Sequence, residues 1–178
     1  LFMIRRVMVI PSSYPSPTNP VNGVFVEDQA RVLAERFDVL VFAQRVYGWR
    51  QVLQGRIPFR DGFTMREGIR LYEQSGFMPP RFLHHAAMVY LLKRARAAML
   101  TITGSWGTPD IIHAHVTLPA GWIAVKLGRE MGVPVVLTES TGPFSVLLKT
   151  ASRRRYAWEA LTGAATVTAM SPPLAETI

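Results

Sequence analysis

The sequence has no cysteine. That excludes a disulfide framework, a thiolate nucleophile and a zinc site built on Cys ligands. Charge is also scarce, at 18% against 49% hydrophobic residues, which excludes a disordered, self-repelling chain. Lysine is nearly missing: Lys93, Lys126 and Lys149 stand among 20 basic residues. No apolar run approaches the roughly 18–20 residues that a membrane-spanning helix needs. The opening segment sets Arg5 and Arg6 inside a short apolar run that stops at Pro11. A secretory signal has its charge first and a longer apolar core after it, so this segment reads as a buried strand.

Three motifs are absent as well. No Gly-x-Gly-x-x-Gly follows the first strand and no Gly-Lys-Ser/Thr precedes a helix, which excludes the dinucleotide fingerprint and the P-loop. No Gly-x-Ser-x-Gly elbow occurs, which argues against a serine hydrolase.

What is present is positive charge, +8 with a pI near 10.6. Arginine-rich coding is one explanation. An anionic partner is the other: nucleic acid, a phosphate group or an anionic membrane. The charge is clustered. Arg81, Lys93, Arg94 and Arg96 fall in the acid-free stretch between Glu73 and Asp110, and Lys149, Arg153, Arg154 and Arg155 fall between Glu139 and Glu159. Each cluster can be a solvated helix face. Arg153, Arg154 and Arg155, with Tyr156 and Trp158, can also lie on an anionic membrane.

Along the chain, residues 3–10 are β-rich. Residues 11–22 hold Pro11, Pro15, Pro17 and Pro20 and form a long loop, because proline fits neither a helix interior nor a central strand. The spacing of Val26, Ala30, Leu33 and Phe37 predicts a helix over 25–37, with Glu27, Asp28, Arg31 and Glu35 on its other side. Residues 38–43 form a second strand. Strand, helix and strand make a βαβ unit with a parallel sheet. Residues 47–68 show no period and read as irregular. Residues 69–72 form a short strand, and Pro79-Pro80 leads into a helix over 82–102. A turn at 104–109, a strand at 110–115, a helix from Pro119 and a strand at 135–139 follow. A helix over 148–161 and a strand at 165–170 complete the pattern. Ser171-Pro172-Pro173 signals one more helix start. With so little chain after that signal, the sequence reads as cut inside a larger protein; a frayed natural terminus is the alternative. The fold class expected is α/β, a Rossmann-like, doubly wound and mostly parallel sheet.

In such sheets ligands sit at the carboxyl ends of the strands, where strand order reverses. The positions to watch are therefore 11–23, 113–119, 139–144 and 170–171. Asn22-Gly23 can present backbone N–H groups to a ligand, or can be a plain loop-to-helix turn. His113 and His115 share one face of a strand. No third ligand accompanies them, so no metal is expected. His115, nearer the strand tip, is expected to face the cleft, with Glu139 on the adjacent strand about 4.8 Å away to orient it. A purely structural hydrogen bond is the alternative. His84-His85 reads as helix packing or a solvated face.

Several segments together resemble glycosyltransferase family 4. They are Ser13-Tyr14-Pro15, Asn22-Gly23-Val24-Phe25-Val26-Glu27-Asp28-Gln29-Ala30, Pro109-Asp110-Ile111-Ile112-His113-Ala114-His115, Ala120-Gly121, Gly132-Val133-Pro134-Val135-Val136-Leu137-Thr138-Glu139 and Val167-Thr168-Ala169-Met170-Ser171. Their order spans nearly the whole chain. The resemblance implies one half of a GT-B fold, with residues 1–178 as the N-terminal, acceptor-side domain and the C-terminal donor-binding domain, usually marked by Glu-x₇-Glu, absent. It implies metal-independent, retaining transfer from a nucleotide sugar to a glycan or lipid-linked acceptor, in polysaccharide or glycolipid synthesis. It places Gly23 beside the donor and His115 and Glu139 on the acceptor side. Where many members carry His, this sequence has Ser140, a hydroxyl that can bond a sugar but carries no positive charge. No cofactor beyond the nucleotide-sugar substrate and no nucleic-acid partner are expected. The expected location is cytoplasmic or peripheral on the membrane, and the chain alone is expected to be inactive. The alternatives are a basic membrane-docking module without catalysis, or half of a nucleotide-sugar epimerase of GT-B architecture.

Overall fold

Alternate residues of the first strand, β1 (Arg6–Pro11), bury against opposite layers. Met8 and Ile10 enter one core cluster, Val7 and Val9 the other. A parallel strand covered on both faces reads as an unbroken apolar run, which is the pattern at the start of this sequence. The computed structural model of the chain describes residues 4–16, 19–48, 53–54, 61–78 and 83–178.

After β1 come α1 (Val24–Ala34), β2 (Asp38–Gly48), β3 (Asp61–Arg66), β4 (Ile69–Met78) and α2 (His84–Ser105). Then follow β5 (Ile111–His115), α3 (Trp122–Met131), β6 (Val135–Glu139), α4 (Ala151–Gly163), β7 (Thr166–Ala169) and the single turn α5 (Pro172–Ala175). The seven strands lie in the order β3-β4-β2-β1-β5-β6-β7. Every neighbouring pair is parallel except β3–β4. The chain builds outward from β1 through β2 to β4, crosses back along α2, and builds the other way from β5. The reversal falls between β1 and β5. Helices α2, α3 and α4 cover one face of the sheet and α1 the other. This is the Rossmann-like, doubly wound α/β sheet that the sequence predicts.

The departures are local. Residues 47–68 are not wholly irregular: β2 continues to Gly48 and β3 pairs antiparallel with β4. Glu67 and Gly68 close that hairpin with φ of 48° and 77°, and two successive positive φ values match the twist of a two-residue hairpin. Glu in place of the usual Asn or Asp hides the signal. The short strand expected at 69–72 runs to Met78 along β2. Helix α1 ends at Ala34, three residues before the predicted 37. Glu27, expected on its outer side, is buried at 4% exposure and paired with Arg66 from β3. Pro119 does not begin a helix. It sits in a wide turn, Thr117–Gly121, before α3. Pro79-Pro80 and Arg81 lie outside the described residues.

Candidate active-site cleft

The carboxyl ends of β1, β5 and β6 meet where strand order reverses. Two hydrogen bonds tie the first loop to the segment after β5: Ser12 N–H donates to the His115 carbonyl (3.1 Å) and Ala120 N–H donates to Ser12 Oγ (3.2 Å). Gly23 then turns the chain into α1 with φ +77°. A Cβ there would stand 2.3 Å from the Ser13 carbonyl oxygen, so only glycine lets the loop lie against the helix start. No side chain caps α1. Asn22 is exposed beside Gly23, at the mouth of a cavity of about 220 Å³ that Ser12, Ser13, Arg45 and Tyr47 also line.

Arg45 was not among the residues the sequence singled out. Its Nε donates to Glu73 (2.6 Å), and its terminal nitrogens donate to the carbonyls of Tyr14 (3.2 Å) and Pro15 (2.8 Å). It fixes the proline-rich loop while Glu73 neutralises it. Nothing local in the sequence marks this pairing, because it depends on the β2–β4 register opposing residues 45 and 75.

The histidines behave differently from expectation. His113 Nε2 shares a hydrogen bond with Thr138 Oγ1 (2.9 Å), and Thr138 Oγ1 with Thr168 Oγ1 (2.8 Å). His115 does not face the cleft. It is 1% exposed, 4.2 Å from the His113 ring centroid and edge-on to Phe25. Neither of its ring nitrogens has a hydrogen-bond partner among the described residues. Burial, then the neighbouring His113, push its pKa down to about 3, so the ring is neutral at pH 7.

Glu139 does not orient His115. The β5–β6 register sets His115 opposite Thr138, so Glu139, one residue on, points to the other face of the sheet. Its fully buried carboxylate accepts three backbone N–H bonds: from Thr117 (2.7 Å), Ser140 (2.8 Å) and Thr141 (2.6 Å). Glu139 is thus a clamp that holds the segments after β5 and β6 together. Ser140, half-buried, is positioned by that clamp.

Between His115 and Thr117 lies Val116, with φ 73°. A β-branched residue in the left-handed region is strained. Its N–H donates to the Thr138 carbonyl (2.8 Å), and its carbonyl accepts from Gly121 N–H (3.0 Å). Sequence offers no sign of this strain.

The basic clusters are largely tied down. Arg94 pairs with Asp61 (2.5 Å) and donates to the Ser75 carbonyl; Arg96 pairs with Glu130 (2.5 Å). Lys93 is exposed. Arg153 and Arg154 donate to the Val146 and Leu148 carbonyls, and Arg155 pairs with Glu159 (3.0 Å). His85 Nδ1 meets the Tyr156 hydroxyl (2.6 Å), which matches the packing reading of His84-His85. Among the described residues no group of three His, Asp or Glu could hold a metal ion, and no helix is long and apolar enough to cross a membrane.

A doubly wound sheet that reverses between β1 and β5, with the first loop packed on Gly23 at the start of α1, has the form of one Rossmann-like half of the GT-B architecture. Residues 23–178 match the glycosyl transferase 4-like domain, and the chain belongs to that family. It is 29% identical over 139 residues to TuaC of Bacillus subtilis (strain 168), a protein assigned as a teichuronic acid biosynthesis glycosyltransferase. That match covers 75% of this chain and 35% of TuaC. In fold it is similar to UGT89C1 of Arabidopsis thaliana. The complex with UDP gives a TM-score of 0.53 at 13% identity, over 97% of this chain and 48% of that one. The complex with UDP-L-rhamnose gives 0.51 at 12% identity, over 99% and 48%. The chain therefore spans about a third of the curated relative and about half of these solved structures.

Proposed function

We propose that this chain is the acceptor-side half of a retaining glycosyltransferase. The intact protein moves a sugar from a nucleotide-sugar donor to a glycan or lipid-linked acceptor, in cell-surface polysaccharide or glycolipid synthesis. Gly23 carries the reading. Having no side chain, it lets the loop after β1 pack against the start of α1, whose positive dipole end favours donor phosphate or sugar oxygens. The cavity beside Asn22 offers hydroxyls, an amide and a neutralised guanidinium, a lining suited to a hydroxyl-rich acceptor. Ser140 offers a further hydroxyl at the β6 end. TuaC's assignment to teichuronic acid synthesis supports a polysaccharide product.

No metal enters this mechanism, so transfer should survive EDTA. The chain alone, without a donor-binding half, should not turn over. The test is to incubate the intact protein with labelled UDP-, GDP- and dTDP-sugars, with and without glycan or polyprenyl-linked acceptors. Label in the acceptor, with the donor's anomeric configuration retained by NMR, is expected. Isomerised sugar formed without acceptor would instead mark an epimerase.

A further inference from the structure

The outer face of α4 carries an indole that the fold does not use. Trp158 is 69% exposed, while Tyr156 and Ala157 beside it are buried. Arg154 and Arg155 precede it by four and three residues, so helical spacing places them on the same outward face. Both are exposed. The turn Phe144–Leu148 that leads into the helix adds exposed Val146, and exposed Lys149 follows it. Across residues 140–175, Lys149, Arg153, Arg154 and Arg155 meet one acid, Glu159. Glu159 also accepts from Trp122 and Lys126, and Arg155 is 71% exposed, so the Glu159 carboxylate does not offset the positive charge of this face.

We propose that this face, centred on Trp158, docks the protein on an anionic lipid bilayer. An indole is stable where an apolar phase meets water, because its ring is apolar and its N–H is polar. The arginines beside it complement anionic headgroups. The α2 cluster takes no part, since Arg94 and Arg96 are each matched by an acid of their own, Asp61 and Glu130, whereas Glu159 is shared between Arg155 and Lys126. The docking face also adjoins the cleft: β6 ends there at Glu139, and the Phe144–Leu148 turn joins that end to α4. A bilayer on α4 thus lies beside the site that a lipid-linked acceptor would enter. The docking itself does not depend on transfer activity.

The experiment is co-sedimentation of the full chain with phosphatidylcholine vesicles, and with vesicles in which a third of the lipid is phosphatidylglycerol. Binding to the anionic vesicles alone, weakening with added salt, is expected. The Arg154→Ala/Arg155→Ala double variant should bind about 25-fold less tightly, at roughly fivefold per cation. Trp158→Ala should also bind several-fold less tightly, and brominated lipid should quench tryptophan emission in the wild type but not in Trp158→Phe. These side chains are exposed, so circular dichroism should show every variant folded. Anionic vesicles left unbound, or bound equally by all variants, would overturn the proposal. In the first case a protein partner becomes the occupant of this face.

Discussion

Two carboxylates do the same work at opposite ends of the central strands. At the amino end, Asp110 accepts the backbone N–H groups of Arg5 and Arg6, each at 2.8 Å. At the carboxyl end, Glu139 accepts those of Thr117, Ser140 and Thr141. Both tie neighbouring segments of parallel sheet together. The difference lies in what surrounds them. Asp110 sits at the surface beside exposed Arg5 and Arg6, where water can replace any lost bond. Glu139 is sealed off, next to a strained Val116 and at the same end of the sheet as a buried His115 whose ring nitrogens have no hydrogen-bond partner among the described residues. Around Asp110 the chain is closed with ordinary surface electrostatics. Around Glu139 it holds the strained Val116 and, among the described residues, buried atoms of Thr117 and His115 without a hydrogen-bond partner, a pattern that proteins keep where geometry serves a ligand.

The contrast can be broken most directly at Glu139. Glu139→Gln keeps the shape but turns one acceptor into a donor that faces N–H groups. It should cost about 3 kcal/mol of stability, read by urea unfolding, and should abolish transfer by the intact protein. Asp110→Asn should lower the unfolding midpoint far less and leave transfer unchanged. Equal losses at the two ends would erase the distinction.

Acidity separates the two ends further. His115 is held neutral, so the unfolded state binds a proton that the folded state refuses. Its contribution to stability is present above pH 6.5 and lost as pH falls towards about 3, at roughly 1.4 kcal/mol per pH unit. His115→Phe should flatten unfolding free energy over that window. The pKa of Asp110 is lowered by the backbone N–H groups of Arg6 and Arg5, so its contribution is lost only as pH falls below the ordinary carboxylate value of 3.8. A flat stability profile between pH 6.5 and 4 would show that His115 is not buried neutral.

The smallest effect is expected at Val116. Val116→Gly removes about 1–3 kcal/mol of strain and adds about 0.5–1 kcal/mol of unfolded-chain entropy. Stability should hold or rise slightly while kcat falls, because the turn after β5 is no longer fixed. A clear loss of stability would mean that the positive φ is comfortable.

How much of this could be read from sequence depends on how local the cause is. The apolar run of residues 7–10 in β1 announces a strand buried on both faces, and the proline-rich loop ending in Asn22-Gly23 announces the long connection from β1 into α1. Burial of Glu27 was not legible, because it depends on Arg66 arriving from a hairpin whose turn residue is an unusual Glu. The Glu139–His115 pairing failed for a similar reason. Adjacent strands bring both residues close, but a one-residue offset in register decides which face each side chain takes. Arg45 and Val116 left no trace at all. One depends on a long-range partner and the other on backbone strain imposed by the two strands around it.

Gly23 offers the most direct test of the cleft as a sugar-transfer site. Label transfer from a nucleotide sugar to an acceptor is measured with the intact protein, wild type beside Gly23→Ala, with urea unfolding to show that both are folded. Transfer by the wild type, reduced at least about tenfold in the folded variant as a Cβ pushes the Ser13 loop off the helix start, is the expected result. Equal transfer by both proteins would contradict the assignment of this cleft.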